Sequence, residues 1–150
     1  NQIEGDKKPS SEYFMHRIFY RDRDDVGAVV HAHSTYSATL AALHWEIEPI
    51  HYLIGYAGKN VRCAPYELFG TEKLAKEALE AMEDRNACLL ANHGLLAIGG
   101  TIEYAFDTAE EIEFVAELYY KAKCVGEPIP LKSEEMDEFL EKFKPYGKKL

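Results

Sequence analysis

The sequence predicts an α/β fold in which a largely antiparallel sheet is covered by helices. Short apolar runs of strand length alternate along it with amphipathic segments of helical spacing. Connections between these segments are short. Two of the runs, residues 87–91 and 95–98, flank the turn Asn92-His93-Gly94 as the arms of a hairpin would. Hairpins join antiparallel neighbours, whereas parallel neighbours need long crossovers.

Each element has its own signal. Residues 10–21 predict a first helix, entered after Pro9, with Phe14, Ile18 and Phe19 on its apolar side. A charged turn over 22–25 leads into a β-branched run, and the strand extends over 26–33. Residues 34–43 are small and Ala-rich, a short buried helix opened by Ser34 or Thr35. Residues 50–54 and 60–64 read as two strands around Gly55 and Gly58, and 65–70 as a loop. Thr71 caps a helix running to about Arg85, with Leu74, Ala75, Ala78, Leu79 and Met82 at helical spacing. In the hairpin, Gly94 suits a positive φ.

Gly99-Gly100 breaks the second arm, and a long helix follows from Thr101 to about Cys124. Its expected apolar face is Ile102, Ala105, Phe106, Ala109, Ile112, Ala116 and Tyr119, with Gly126 and Pro128 closing it. Ser133 caps a last helix whose first turn is acidic (Glu134, Glu135, Asp137), as the helix dipole favours. That helix ends near Lys144, before the tail Pro145-Tyr146-Gly147.

Composition narrows the function classes. At 150 residues the chain makes one domain with a core of its own, and its apolar (47%) and charged (29%) fractions are those of a globular protein. The net charge of −9, with no Lys/Arg stripe, is the wrong sign for a nucleic-acid partner. No apolar stretch is as long as a membrane span, and the first residues, Asn-Gln-Ile-Glu-Gly, do not read as a signal peptide. Cys63, Cys88 and Cys124 are odd in number and lack Cys-x-x-Cys spacing; they read as the reduced thiols of a cytoplasmic protein. Residues 1–8 look like the end of a polar turn, so the chain is expected to begin inside a domain.

Three histidines carry the chemistry. His31 and His33 sit two apart at the end of a strand, and strand side chains alternate faces, so both project to one side. His93, delivered by the turn, completes the three-nitrogen set of a catalytic zinc site with one position left open. Alone, a His-x-His pair is a weak signal. A second cluster, Pro9-Ser10-Ser11-Glu12, is either an ordinary helix cap or an anion cradle with a general base. Spacing does not choose between these.

The remaining candidates have bland readings beside the functional ones. His16 follows Glu12 by one helical turn, and His44 lies in a polar loop. His51 reads as a strand residue that orients Tyr52 or simply packs. Trp45, Tyr56 and Tyr66 read as core or subunit-contact aromatics, and Glu110, Glu111 and Glu113 as a solvated helix face.

In order along the chain, Pro9-Ser10-Ser11-Glu12, Val29-Val30-His31-Ala32-His33-Ser34, Pro49-Ile50-His51-Tyr52, Cys63-Ala64-Pro65-Tyr66-x-x-Phe69-Gly70-Thr71, Asn92-His93-Gly94-Leu95 and Lys142-Phe143-Lys144-Pro145-Tyr146-Gly147 resemble the class II aldolase/adducin family, in its fuculose-phosphate aldolase branch. The resemblance runs from Lys8 to Tyr146. It implies a three-layer αβα fold and one zinc ion per subunit on His31, His33 and His93, with Co2+, Mn2+ or Fe2+ as other ions such a set accepts. It further implies Glu12 as catalytic carboxylate and resting-state metal ligand, Ser10 and Ser11 on the substrate phosphate, and Phe69 beside the substrate. Tyr52, lent by a neighbouring subunit, and a C-terminal Tyr146 are its implied catalytic tyrosines. A homotetramer with sites between subunits is the implied assembly. The family's N-terminal helix and sheet hairpin, which supply much of the phosphate cradle, have no match here.

The implied reaction is reversible aldol cleavage of a ketose 1-phosphate, L-fuculose 1-phosphate by the closest motifs, to dihydroxyacetone phosphate and an aldehyde such as L-lactaldehyde. It proceeds through a metal-stabilised enediolate. Other branches stay open. Pentulose-phosphate 4-epimerases carry Asp where this chain has Glu12, whereas sugar-phosphate dehydratases and decarboxylases can keep Glu. Adducin-like interaction domains lack the histidines that this chain retains.

Overall fold

The computed structural model describes residues 4–143. Its elements run α1 (Tyr13–Asp22), β1 (Ala28–Ala32), α2 (Thr35–Ala42), a 3-10 turn (Tyr52–Tyr56), β2 (Arg62–Ala64), α3 (Glu72–Ala81), β3 (Ala87–Leu90), β4 (Gly94–Gly99), α4 (Ile102–Val125) and α5 (Ser133–Phe143). The four strands form one sheet in the order β1-β4-β3-β2. β4 is antiparallel to both β1 and β3, in the second case as their hairpin requires. β2 instead joins β3 in parallel, because helix α3 crosses over between them. The sheet is thus largely antiparallel with one parallel edge.

Helices cover both faces, as the α/β prediction requires. Leu89, Leu95 and Ala97 point to one face, where they pack with Leu40 and Ala41 of α2 and Ile112, Val115 and Ala116 of α4. Cys88, Leu90, Leu96 and Ile98 point to the other, against Met15, Ile18 and Phe19 of α1 and Leu74, Ala75 and Ala78 of α3. Every residue of β3 and β4 is buried, which explains their unbroken apolar runs. Val29 belongs to the α1/α3 side, so by the period of two His31 faces that side too.

Several expectations are corrected. The segment read as a strand over 50–54 is the 3-10 turn: His51 caps it by accepting the Leu53 N–H (3.3 Å), and Ile54 fills the core. A short apolar run does not distinguish the two by its periodicity. On α4, Ile102 and Phe106 are 56% and 52% exposed, while Thr108 and Val115 are buried in their place. At 100° per residue Phe106 lies roughly 120° from the centre of the buried stripe. Ser133 is the first residue of α5 rather than its cap; the Glu135 side chain accepts the Lys132 N–H (2.7 Å) instead. No helix among the described residues is long and apolar enough to cross a membrane.

Candidate metal centre

β1 ends at Ala32, which pairs with Leu95 of β4, so His33 is the first residue beyond the ladder. The β3–β4 turn carries His93 to the same end of the sheet. The left-handed residue in that turn is Asn92 (φ 53°), not Gly94 as the sequence suggested. Gly94 is required for a different reason: a Cβ there would sit 2.4 Å from the Ala32 carbonyl oxygen and 3.1 Å from the His33 ring.

The three imidazoles converge. Ring centroids are 4.8 Å apart for His31–His33 and His31–His93, and 5.0 Å for His33–His93. His31 Nδ1 donates to the Leu95 carbonyl (2.9 Å), which leaves Nε2 as the lone-pair nitrogen facing the cluster. His31 Nε2 and His33 Nε2 are 3.1 Å apart, and one nitrogen from each of the three rings lies within 4.8 Å of the others. A tetrahedral ion about 2.0–2.1 Å from each nitrogen would separate its ligand atoms by about 3.3 Å, so the donor set fits a single metal. Burial pushes His31 down to about 4, against the pull of the Leu95 hydrogen bond. Burial also lowers His93, opposed by the nearby Glu12 carboxylate. Both rings are therefore neutral at neutral pH, the form that binds a metal.

Glu12 approaches this cluster from α1. It is the N-cap residue, yet its side chain makes no capping bond; Oε2 accepts the Gly70 N–H (3.2 Å) and Oε1 lies 3.9 Å from His93 Nε2. Ser10 takes over part of the capping by accepting the Glu12 N–H (3.2 Å). Glu12 is 9% exposed. Ser10, Ser11, Tyr66, Glu67, Phe69 and Asn92 join the three histidines and Glu12 around an open cavity of about 520 Å³. A larger hollow of about 650 Å³ between α1 and α3 contains no histidine. Chemistry rather than volume locates the site.

Other candidates fall elsewhere. Tyr52 is half exposed, its ring against His51 (4.6 Å) and Phe139 (5.5 Å), and it does not line the cavity. Tyr146 lies outside the described residues. His16 is half-buried on α1, and burial lowers its pKa. Two contributors escaped sequence reasoning. Gly70, at φ 71° and holding Glu12, had a signal in its left-handed turn chemistry. Glu113 is not on a solvated face: it accepts hydrogen bonds from Ser34, Tyr36 and Ser37 at the start of α2, and an acidic run gives no hint of that.

The chain matches known proteins over most of its length. Residues 1–120 match the family described as Class II Aldolase and Adducin N-terminal domain. The chain is 56% identical over 145 residues to a 5-deoxy-D-ribulose 1-phosphate aldolase of Bacillus thuringiensis serovar kurstaki, covering 97% of this chain and 68% of the relative. It is 46% identical over 144 residues to a 5-methylthioribulose-1-phosphate/5-deoxyribulose-1-phosphate aldolase of Rhodospirillum rubrum, covering 95% and 65%. A solved L-fuculose 1-phosphate aldolase superposes with a TM-score of 0.93 at 49% identity, covering 95% of this chain and 67% of that one. The chain spans about two thirds of the length of these relatives. It belongs to the class II aldolase/adducin family.

Proposed function

We propose that the protein is a metal-dependent class II aldolase, a lyase that cleaves a ketose 1-phosphate to dihydroxyacetone phosphate and a short aldehyde. The observation that carries this reading is the buried Glu12 carboxylate, held by the Gly70 N–H and 3.9 Å from His93 Nε2. A base at the edge of a three-imidazole cluster is the arrangement needed to take a proton from carbon next to a carbonyl. His31, His33 and His93 would hold the ion, zinc by donor chemistry. When bound, it would supply Lewis-acid stabilisation of the oxyanion that develops on the ketone.

In the direction of synthesis, Glu12 takes the proton from the hydroxymethylene carbon of dihydroxyacetone phosphate. That carbon then bonds to the aldehyde carbon, and the aldehyde oxygen takes a proton from a tyrosine hydroxyl. Tyr52 of a neighbouring subunit, or Tyr146, fills the last role, which fits the exposure of Tyr52 away from its own cavity and a homotetramer with shared sites. Ser10 and Ser11 at the cavity mouth would face the phosphate, and Phe69, 61% exposed, the aldehyde end.

Two substrates follow from the likenesses. The 56% identical relative is named for 5-deoxy-D-ribulose 1-phosphate, whose second product would be acetaldehyde. L-Fuculose 1-phosphate, the substrate suggested by the motifs, would give L-lactaldehyde. The test is a cleavage assay of both ketose 1-phosphates with the zinc-loaded full-length protein. Triose phosphate release is expected, with the faster substrate identifying the aldehyde. Epimerised pentulose phosphate without any triose product would overturn the aldolase reading.

A further inference from the structure

Among the described residues, three other than glycine have a left-handed backbone: His44 (φ 55°), Asp84 (φ 56°) and Asn92 (φ 53°). Two of them meet. His44 Nε2 lies 2.6 Å from Asn92 Oδ1, across 48 residues of sequence. The amide oxygen can only accept, so the imidazole N–H donates. Left-handed backbone is sparsely populated by residues with a Cβ, and it persists where the surroundings over-determine it.

The surroundings here are specific. The Asn92 N–H donates to the carbonyl of Ala41 (3.0 Å), in the last turn of α2, and His44 N donates to that same carbonyl (3.1 Å). The end of α2 therefore grips Asn92 twice, by main chain at Ala41 and by side chain at His44. The next residue is His93, whose N–H is tied to Leu90 O (3.0 Å) and whose imidazole must reach the His31–His33 pair. If Asn92 relaxes to the right-handed region, the peptide entering His93 rotates and the ring is carried off line.

We propose that His44 is a positioning residue for metal binding: its hydrogen bond to Asn92 latches the left-handed turn that aims His93 at the other two imidazoles. This rests on the reading of the three histidines as a metal site. His44 and Asn92 are both exposed, so the latch buries no apolar surface and its loss is expected to cost the fold little. Its effect is confined to where His93 points. Loss of a partner that orients a ligand typically weakens metal affinity by about 10–100-fold, and a latch one residue removed belongs at the lower end.

The test uses the full-length chain with zinc and a competing chromophoric chelator, together with the absorption spectrum of the cobalt-loaded protein. His44→Ala should weaken zinc binding about tenfold and alter the cobalt ligand-field bands, while the melting temperature of the metal-free protein stays within about 2 °C. His44→Gln, which can offer an amide N–H at similar reach, should recover most of the affinity. Asn92→Gly keeps the backbone conformation but removes the oxygen; adding His44→Ala to it should cause no further loss. Parent-like zinc affinity and cobalt spectrum in His44→Ala would overturn the latch alone. A parent chain that binds no metal would overturn the metal reading and the latch with it.

Discussion

Glu113 Oε2 accepts a hydrogen bond from Ser34 Oγ at 2.7 Å, joining the middle of α4 to the residue that directly follows His33. The same carboxylate accepts from the Ser37 hydroxyl (2.7 Å) and from the N–H groups of Ser37 (2.9 Å) and Tyr36 (2.7 Å). The first turn of a helix has N–H groups with no partner of their own, and Ser34, the N-cap residue, makes no capping bond with its side chain. Glu113 replaces the local cap with a negative charge from another helix, at the end where the dipole favours it. Two elements of the core face are thereby fixed to one another beside the candidate metal centre.

Glu113→Gln tests this cap. The serine hydroxyls can rotate to accept from an amide, but the Tyr36 and Ser37 N–H groups cannot, so one main-chain donor loses its acceptor. The metal-free protein should lose about 1–3 kcal/mol of stability, read from urea or thermal melts. A loss below about 0.5 kcal/mol, the range of an ordinary surface substitution, would show that the cap contributes little.

Gly94→Ala tests the close approach between β4 and the end of β1. The added Cβ would overlap the Ala32 carbonyl oxygen and press on the His33 ring, at 2.4 and 3.1 Å. The Ala32 carbonyl is backbone of a residue paired with Leu95 in the sheet, so that contact cannot relax at little cost. A destabilisation of about 1–3 kcal/mol is expected. Zinc affinity should fall as well, because the displaced ring is a candidate ligand. Unchanged melting and unchanged zinc affinity would refute the crowding.

The sequence conveyed those parts of the molecule that are set locally. The β3–β4 hairpin, the three histidines and the cap Thr71 follow from spacing and turn chemistry, and the structure reproduces them: Thr71 Oγ1 accepts from Leu74 N at 3.2 Å. What it withheld depends on contacts distant in sequence. Glu113 looks like its solvated neighbours until α2 is packed against α4, and His44 looks like a loop residue until Asn92 is brought beside it. The 3-10 turn at Tyr52–Tyr56 was hidden because five residues are too few for a helical or strand period to separate. Gly94 was noticed for the wrong property: backbone freedom is visible in a sequence, whereas the approach of another strand is not.

Glu12→Gln separates metal binding from proton transfer. The amide keeps the size of the carboxylate, and its oxygen can still accept the Gly70 N–H, so the local fold and the three imidazoles are preserved. It cannot take a proton from carbon. Zinc should be retained at one ion per chain, while the rate of ketose 1-phosphate cleavage falls by about 10²–10⁴-fold, the usual contribution of a general base. Zinc content and cleavage rate are measured on the same preparation. Unchanged turnover would remove Glu12 from the reaction.

His31 makes the metal-free protein sensitive to mild acid. Burial holds its pKa at about 4 in the folded chain, against 6.5 for an unperturbed imidazole. Above pH 6.5 neither state is protonated there, and the full stability is present. As the pH falls from 6.5 towards 4, the unfolded chain takes up a proton that the folded chain refuses, so unfolding becomes easier. Below about 4 both states are protonated and this contribution levels off. The melting temperature of the metal-free protein should therefore drop across that window. In His31→Gln the drop should be smaller, because the group that titrates has been removed. Zinc should steepen the parent's dependence, since protons compete for the nitrogens that hold the ion. A parent profile that is flat from pH 6.5 to 4, or an equal slope in His31→Gln, would mean that this imidazole is not held neutral by burial.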